Sequence, residues 1–267
     1  MPKRARLDAE LVRRGLAPSR ATAREAVDAG LVTVDGAPAL KASRLVAPHE
    51  AVLVLERPRF VSRGGDKLDG ALDRFAIDAR GVRALDVGAS TGGFTDCLLQ
   101  RGAVQVVAVD VGHDQLHERL RADPRVESHE RTDVRSLEVP GIGEGYPLVV
   151  ADVSFISLRT VAGALLGQAT EGADVVALVK PQFEVGREAA SRGRGVVTDP
   201  DLWRDALSGV IAAFEARGAA IMDLMVSPLQ GADGNVEFLL HVRTGSAPRP
   251  SADLVGAAIA DAIGLRP

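Results

Sequence analysis

Several residue types are scarce in this 267-residue chain, and each scarcity excludes something. There is one cysteine, Cys97, so neither an internal disulfide nor a multi-cysteine zinc site can form. Aromatics make up only 3% of the chain, with a single Trp and a single Tyr, so Ala, Val and Leu must fill the core. No apolar run approaches the roughly 18 to 20 residues of a membrane helix. The start, Met1-Pro2-Lys3-Arg4-Ala5-Arg6-Leu7-Asp8, is basic with no apolar segment behind it, unlike a secretory signal. Five histidines show no metal pattern. His113 and His117 are four apart, but His-Asp-Gln-Leu-His lacks the glutamate of a zincin, and no metal is expected. A soluble, monomeric protein of the reducing cytoplasm is the expectation.

Hydrophobic content of 46% and charged content of 25% fit a folded soluble protein of one large or two small domains. The 32 Lys and Arg against 36 Asp and Glu leave a net charge of −4, which argues against a nucleic-acid binder. The charge is uneven, however. Residues 1–63 carry twelve basic against seven acidic residues, a net of +5, and the rest carries twenty against twenty-nine, a net of −9. A basic head on an acidic body suggests a separate contact with nucleic acid or an anionic surface. A solvated basic face without a partner is the alternative on charge alone.

Pattern in the head is more informative than charge. Leu7, Leu11, Val12 and Leu16 repeat at helical spacing, and Gly15 and Pro18 break the repeat. Ser19 can cap a second helix over 20–29, closed by Gly30. Residues 31–34 read as a strand, Asp35-Gly36 as a turn and 51–55 as another strand. The segment resembles the ribosomal-protein S4-type RNA-binding domain through Arg6-Leu7-Asp8, Leu11-Val12-Arg13-Arg14-Gly15, Ser19-Arg20, Ala23 and Gly30-Leu31-Val32-Thr33-Val34-Asp35-Gly36. The resemblance implies a small α+β RNA-binding domain over 1–56, with Arg4, Arg6, Arg14, Arg20 and Lys41 facing RNA phosphates and Arg63 in the same set. Residues 57–62, around Pro58 and Phe60, read as a linker, either a passive spacer or a relay.

From residue 63 onward, strands and helices alternate. Near-continuous apolar runs at 82–87, 104–110, 148–153 and 174–179 suit parallel strands buried on both faces. Residues 94–100, 114–120 and 201–217 have helical spacing, and 221–226 and 235–242 look like closing strands. This is the pattern of an α/β, doubly wound, Rossmann-like sheet over 63–267, whose ligands sit beyond the carboxyl ends of the strands. Polar residues collect at those ends. The first strand runs into Asp86-Val87-Gly88-Ala89-Ser90-Thr91-Gly92-Gly93-Phe94, the second ends at Asp110 beside Val111, Asp133 follows a third strand region, Asp152 ends the fourth and Lys180 the fifth.

Three ligand chemistries compete for the glycine loop. A dinucleotide fingerprint would need glycine at Ser90. Gly88-Ala89-Ser90-Thr91-Gly92 matches the nucleophile elbow of α/β-hydrolases, with Asp152 or Asp174 and His241 in triad order. But His241 lies inside an apolar strand run, and no oxyanion loop precedes it. S-adenosylmethionine suits an acid before the turn, a Gly/Ser/Thr-rich turn, and Asp110 seventeen residues after Gly93 for the ribose diol, with Asp133 able to accept from an adenine amino group.

Five segments are similar to the TlyA (haemolysin A-like) family, which joins an S4-type head to an FtsJ-like methyltransferase. They are Ser62-Arg63-Gly64-Gly65-Asp66-Lys67-Leu68, Leu85 to Thr95, Ala151-Asp152-Val153-Ser154-Phe155-Ile156-Ser157-Leu158, Leu178-Val179-Lys180-Pro181-Gln182-Phe183-Glu184-Val185-Gly186, and Gly234-Asn235-Val236-Glu237-Phe238. The resemblance implies an S-adenosylmethionine-dependent 2′-O-methyltransferase acting on cytidine in 16S or 23S ribosomal RNA, in assembled subunits. It implies a catalytic set of Lys67, Asp152, Lys180 and Glu237. The implied cofactor set is Asp86, Gly88, Ala89, Ser90, Thr91, Gly92, Gly93, Phe94, Asp110, Val111, Asp133 and Asp152. A ribose 2′-hydroxyl must lose its proton as the methyl arrives, and Lys180 could take or polarise it. Asp152 would orient Lys180, and Glu237 would position Lys67 or the ribose. Arg187, Arg192 and Arg194, in a glycine-containing loop, could touch RNA. The rivals are a silent RNA-binding protein and the membrane lysis that the family's name suggests, although no membrane element is evident.

Overall fold

The computed structural model describes residues 4–55, 58–136, 145–186, 195–246 and 252–264. The chain divides into two compact units between Pro58 and Arg59.

In the head, β1 (Ala5–Arg6) runs directly into α1 (Leu7–Arg13), followed by α2 (Arg20–Asp28). Ser19 Oγ accepts from Thr22 N at 3.2 Å, capping α2 as expected. Short strands β2 (Val32–Val34), β3 (Ala37–Pro38), β4 (Leu45–Val46) and β5 (Val52–Val54) complete it. β1 pairs with β4, and a three-stranded antiparallel sheet has the order β3-β2-β5. Asp35 and Gly36, at φ of 50° and 78°, make the tight turn that the Asp-Gly pair predicts. Leu7, Leu11, Ala23, Val27, Val32 and Val34 form the core.

The body opens with α3 (Arg63–Arg74) and then alternates. Its elements are β6 (Arg83–Val87), α4 (Gly93–Gln100), β7 (Gln105–Val109), the one-turn α5 (Glu118–Arg121), β8 (Val126–His129) and β9 (Tyr146–Ala151). α6 (Leu158–Gln168), β10 (Ala169–Val179), the short α7 (Pro181–Glu184), α8 (Pro200–Glu215), β11 (Ala220–Val226), β12 (Phe238–Arg243) and α9 (Ala252–Gly264) follow. The seven-stranded sheet has the order β11-β12-β10-β9-β6-β7-β8. The five strands from β10 to β8 are parallel to their neighbours, and β12 is antiparallel to both β10 and β11.

The expected doubly wound sheet is present, and alternation within its apolar runs explains it. Val149 and Ala151 of β9 face a core with α6, α8 and α9, whereas Leu148 and Val150 face a second core with α3 and α4. β6, β7 and β10 divide their residues in the same way, so a continuous apolar run is the signature of a strand covered on both faces. The order reverses beside β6, which has β9 on one side and β7 on the other, and this switch point opens the cleft.

Two expectations need revision. A helix over 114–120 is reduced to the single turn of α5, because Asp114 turns left-handed at φ 54° and His117 N bonds back to Thr91 O at 3.2 Å. The segment at 57–62 is not a uniform spacer either, since Arg59 to Ser62 belong to the body. Phe60 is buried against Gly65, where an added Cβ would meet its ring at 2.3 Å. Val61 N donates to Asp96 at 2.9 Å, and Arg59 pairs with Asp69.

Candidate active site and RNA interface

Two adjoining cavities lie at the carboxyl ends of the body's strands. One, of about 370 Å³, is lined by Arg63, Lys67, Ala89, Thr91, Gly93, Phe94, Lys180 and Glu237 among others. The other, of about 570 Å³, is lined by Asp110, Val111, Gln115, Asp133, Phe155 and their neighbours. Gly88, Ser90, Asp152 and Ser154 line both and so form the passage between them.

The glycine loop gets its shape from close packing. At Gly88, with φ of 83°, an added Cβ would lie 2.4 Å from Asp152 O, so only glycine lets the loop rest on the end of β9. Ser90, the position where a dinucleotide loop would need glycine, is itself left-handed at φ 47°. Its N–H donates to Asp110 Oδ2 at 2.8 Å, while Asp110 Oδ1 accepts from Gly112 N at 2.7 Å. Asp110 thus fixes the loop from across the cleft.

Asp86 lies beneath the loop, fully buried, and lines neither cavity. Its Oδ2 accepts from Thr95 Oγ at 2.6 Å, and its Oδ1 has no hydrogen-bond partner. Burial pushes its carboxyl up to about 7; the Thr95 hydroxyl opposes this, and the charges of Asp152 and Asp110 reinforce it. Gly92, at φ 95°, also stays off both cavities and packs against Leu120 and Leu116. Asp133 lines the second cavity with both carboxylate oxygens held by Arg135, whose hydrogen bonds lower its pKa.

The four residues of the expected catalytic set line the first cavity together. Lys67 on α3 and Glu237 just before β12 form a buried ion pair although 170 residues separate them. Lys180 Nζ lies 2.5 Å from Asp152 Oδ1, an ion pair whose direction falls short of a hydrogen bond, and donates to Ser154 Oγ at 2.8 Å. Each lysine therefore meets its own carboxylate.

The sequence motifs contained further residues whose roles only the structure reveals. Glu184 is buried and ties the loop after β9 to the turn after β10. It accepts from Leu158 N at 2.7 Å and Ser157 Oγ at 2.5 Å, while Arg159 donates to its main-chain oxygen. Phe155 is 92% exposed at φ 65° in a chain that has few aromatics, and its ring lies tilted against Phe183, centroids 5.2 Å apart, beside Lys180. An exposed aromatic in a motif after a strand end was the available signal. His241 sits mid-strand, bonded to Asp174 at 2.7 Å and stacked on Phe75, and lines neither cavity, so no hydrolase triad assembles around Ser90.

In the head, Arg4, Arg6, Arg20 and Lys41 are exposed or partly exposed. Arg14 departs from the expected RNA-facing set. Its guanidinium is consumed internally by Glu10 and by the main-chain oxygens of Glu50, Ala47 and Pro48, and the side chain is 19% exposed. Arg63 is exposed at the rim of the first cavity. Arg187, Arg192 and Arg194 lie outside the described residues. Among the described residues, no helix is long and apolar enough to cross a membrane.

An open, Rossmann-type sheet with acids at its switch point and paired lysines in the adjoining cavity has the layout of an enzyme's ligand site. Residues 60–244 match the FtsJ-like methyltransferases, and residues 5–52 match the S4 domain. Over 246 residues, 91% of each chain, the protein is 52% identical to the 16S/23S rRNA (cytidine-2′-O)-methyltransferase TlyA of Mycobacterium tuberculosis. It is 44% identical over 248 residues to YqxC of Bacillus subtilis, covering 90% of this chain and 86% of that one. A solved structure from Streptococcus thermophilus that bears a hemolysin name superposes with a TM-score of 0.75 at 39% identity, covering 99% of this chain and 97% of that one. The chain belongs to the TlyA family of FtsJ-like methyltransferases with an S4 domain.

Proposed function

We propose that the protein methylates the 2′-hydroxyl of cytidine in ribosomal RNA of the 16S or 23S type, using S-adenosylmethionine. The observation that carries this reading is the meeting of Lys67, Asp152, Lys180 and Glu237 in one cavity that opens into an acid-lined cleft.

The cleft suits that cofactor. It gathers Asp110, Asp133 and Asp152, a set of carboxylate acceptors that favours a cationic ligand with a ribose diol. Gly88, Ala89, Ser90, Thr91, Gly93 and Phe94 would shape the methionine side, Asp110 would accept from the ribose, and Val111 and Asp133 would flank the adenine. When bound, the cofactor supplies a methyl group on a positively charged sulfur. Lys180 takes the proton of the ribose hydroxyl as the methyl is transferred, and Asp152 stabilises the resulting ammonium. Glu237 holds Lys67 at the cavity wall, and Phe155 offers a face on which an unstacked base can rest. The head and Arg63 would hold RNA phosphates.

The test is transfer of labelled methyl from S-adenosylmethionine to purified small and large ribosomal subunits, followed by mapping of the modified ribose. Lys180→Ala should lose transfer by roughly 10²- to 10⁴-fold while still binding the cofactor. Full activity of that variant would remove Lys180 from the mechanism. Liposome leakage with pure protein checks the lytic rival, and no leakage is expected.

A further inference from the structure

The head contains a charged constellation that single arginines do not explain. Asp8, in the first turn of α1, is fully buried, yet three guanidiniums reach it. Arg6 engages it in a fork, Nε at 3.1 Å from Oδ1 and Nη2 at 3.2 Å from Oδ2. Arg20 Nη2 at 2.9 Å and Arg24 Nε at 3.2 Å share the same Oδ2. One carboxylate balances one guanidinium, so the cluster keeps a net charge of about +2 within a few ångströms. Like charges that close repel unless an anion joins them.

The neighbouring acid shows what a merely structural cluster looks like. Glu10 is also buried and binds Arg13 and Arg14, but Arg14 is then closed off by three main-chain oxygens. The arginines on Asp8 are not closed off. Arg6, Arg20 and Arg24 remain 45%, 50% and 55% exposed, and among the described residues the side chains of Arg20 and Arg24 each give one hydrogen bond, to Asp8. A guanidinium has five N–H donors, so most of theirs are available to a ligand.

We propose that Asp8 is a positioning residue that assembles Arg6, Arg20 and Arg24 into a pre-formed site for a backbone phosphate of RNA, with Arg24 as its third arm. The proposal rests on the reading of the head as an RNA-binding surface. Holding three long side chains together before the ligand arrives removes ordering cost from the binding step. A polyanion fits better than a single small anion, because the head's basic excess extends beyond the cluster to Arg4 and Lys41.

Asp8→Asn in the full chain separates positioning from simple charge. It keeps the shape and makes the head one unit more positive, so a plain basic patch would bind purified ribosomal subunits more tightly. A positioned site binds them more weakly, by roughly three- to tenfold. Melting temperature and S-adenosylmethionine affinity report whether the fold is kept. Arg24→Ala should cost a similar factor and lower the slope of log affinity against log salt by about 0.7–0.9. It should add little in the Asp8→Asn background, since the two act as one unit. Unchanged or tighter binding by a folded Asp8→Asn overturns the proposal. If that variant fails to fold, unchanged affinity of Arg24→Ala overturns it instead. Loss in Arg6→Ala plus Arg20→Ala alone refutes the positioning role and leaves the RNA-binding head standing, whereas no loss in any variant refutes both.

Discussion

Acids and cations meet in different proportions in the two units. In the head, Asp8 gathers three arginines and Glu10 two. In the body's cavity, Asp152 faces Lys180 and Glu237 faces Lys67, one for one. Beneath the glycine loop, Asp86 meets no cation among the described residues. Each ratio suits a different task. Arginine keeps its charge under all cellular conditions, so an excess of it can only attract anions. Lysine, unlike arginine, can give up its proton, which acid–base chemistry requires. An acid without a cation is held near neutrality by its surroundings.

The largest expected effect tests the lysine side of this contrast. Lys180→Arg keeps the charge and can keep the ion pair with Asp152, but it cannot release a proton. Single-turnover methyl transfer should fall nearly as far as in Lys180→Ala, by roughly 10²- to 10⁴-fold, with RNA affinity unchanged. Retained activity would mean that positive charge alone is what the cavity needs.

Asp86 is expected to have the next largest effect, seen in stability rather than rate. Its carboxyl titrates near 7 in the folded chain, against about 4 for an unfolded aspartate. Between those pH values the folded state binds a proton that the unfolded state has released. Stability therefore falls as pH rises from about 4 to 7, by up to a few kcal/mol at ~1.4 kcal/mol per pH unit. Asp86→Asn should flatten the cofactor-free melting temperature across that window and raise it at pH 8. A profile identical to the parent's would mean that Asp86 is ionised throughout.

The head provides the smallest of the three. Arg6→Ala plus Arg20→Ala should weaken binding to ribosomal subunits by roughly tenfold and reduce the salt slope by about 1.5. A change in affinity at constant slope would indicate lost packing instead of lost phosphate contacts.

Where the sequence is legible, the reason is physical. The sheet can be read because its central strands β6, β7, β9 and the second half of β10 are covered on both faces and stay largely apolar, and the acids stand out against those runs. The helix at 114–120 misleads because its spacing is right while Asp114 turns left-handed. α6 is hard to see because it passes into β10 at Ala169 with no breaker between them. In the cavity, the sequence motifs set Asp152 beside Lys180, and Glu237 beside either Lys67 or the ribose; spacing cannot choose between those two, since Lys67 and Glu237 meet across most of the chain. Arg14 and Arg20 look alike in a sequence, and only the main-chain oxygens around Arg14 separate them. Arg24, one helical turn after Arg20 on α2, could have been found from that spacing.

Cys97 on α4 is the chain's single thiol. It is fully buried, and burial with the charge of Asp69 beside it pushes its pKa up to about 12. The thiolate is the form that attacks thiol reagents, so the native chain offers them almost no reactive sulfur. A cysteine introduced at any exposed position would thus carry a fluorophore or spin label at one defined site with Cys97 left in place, in an otherwise unaltered protein.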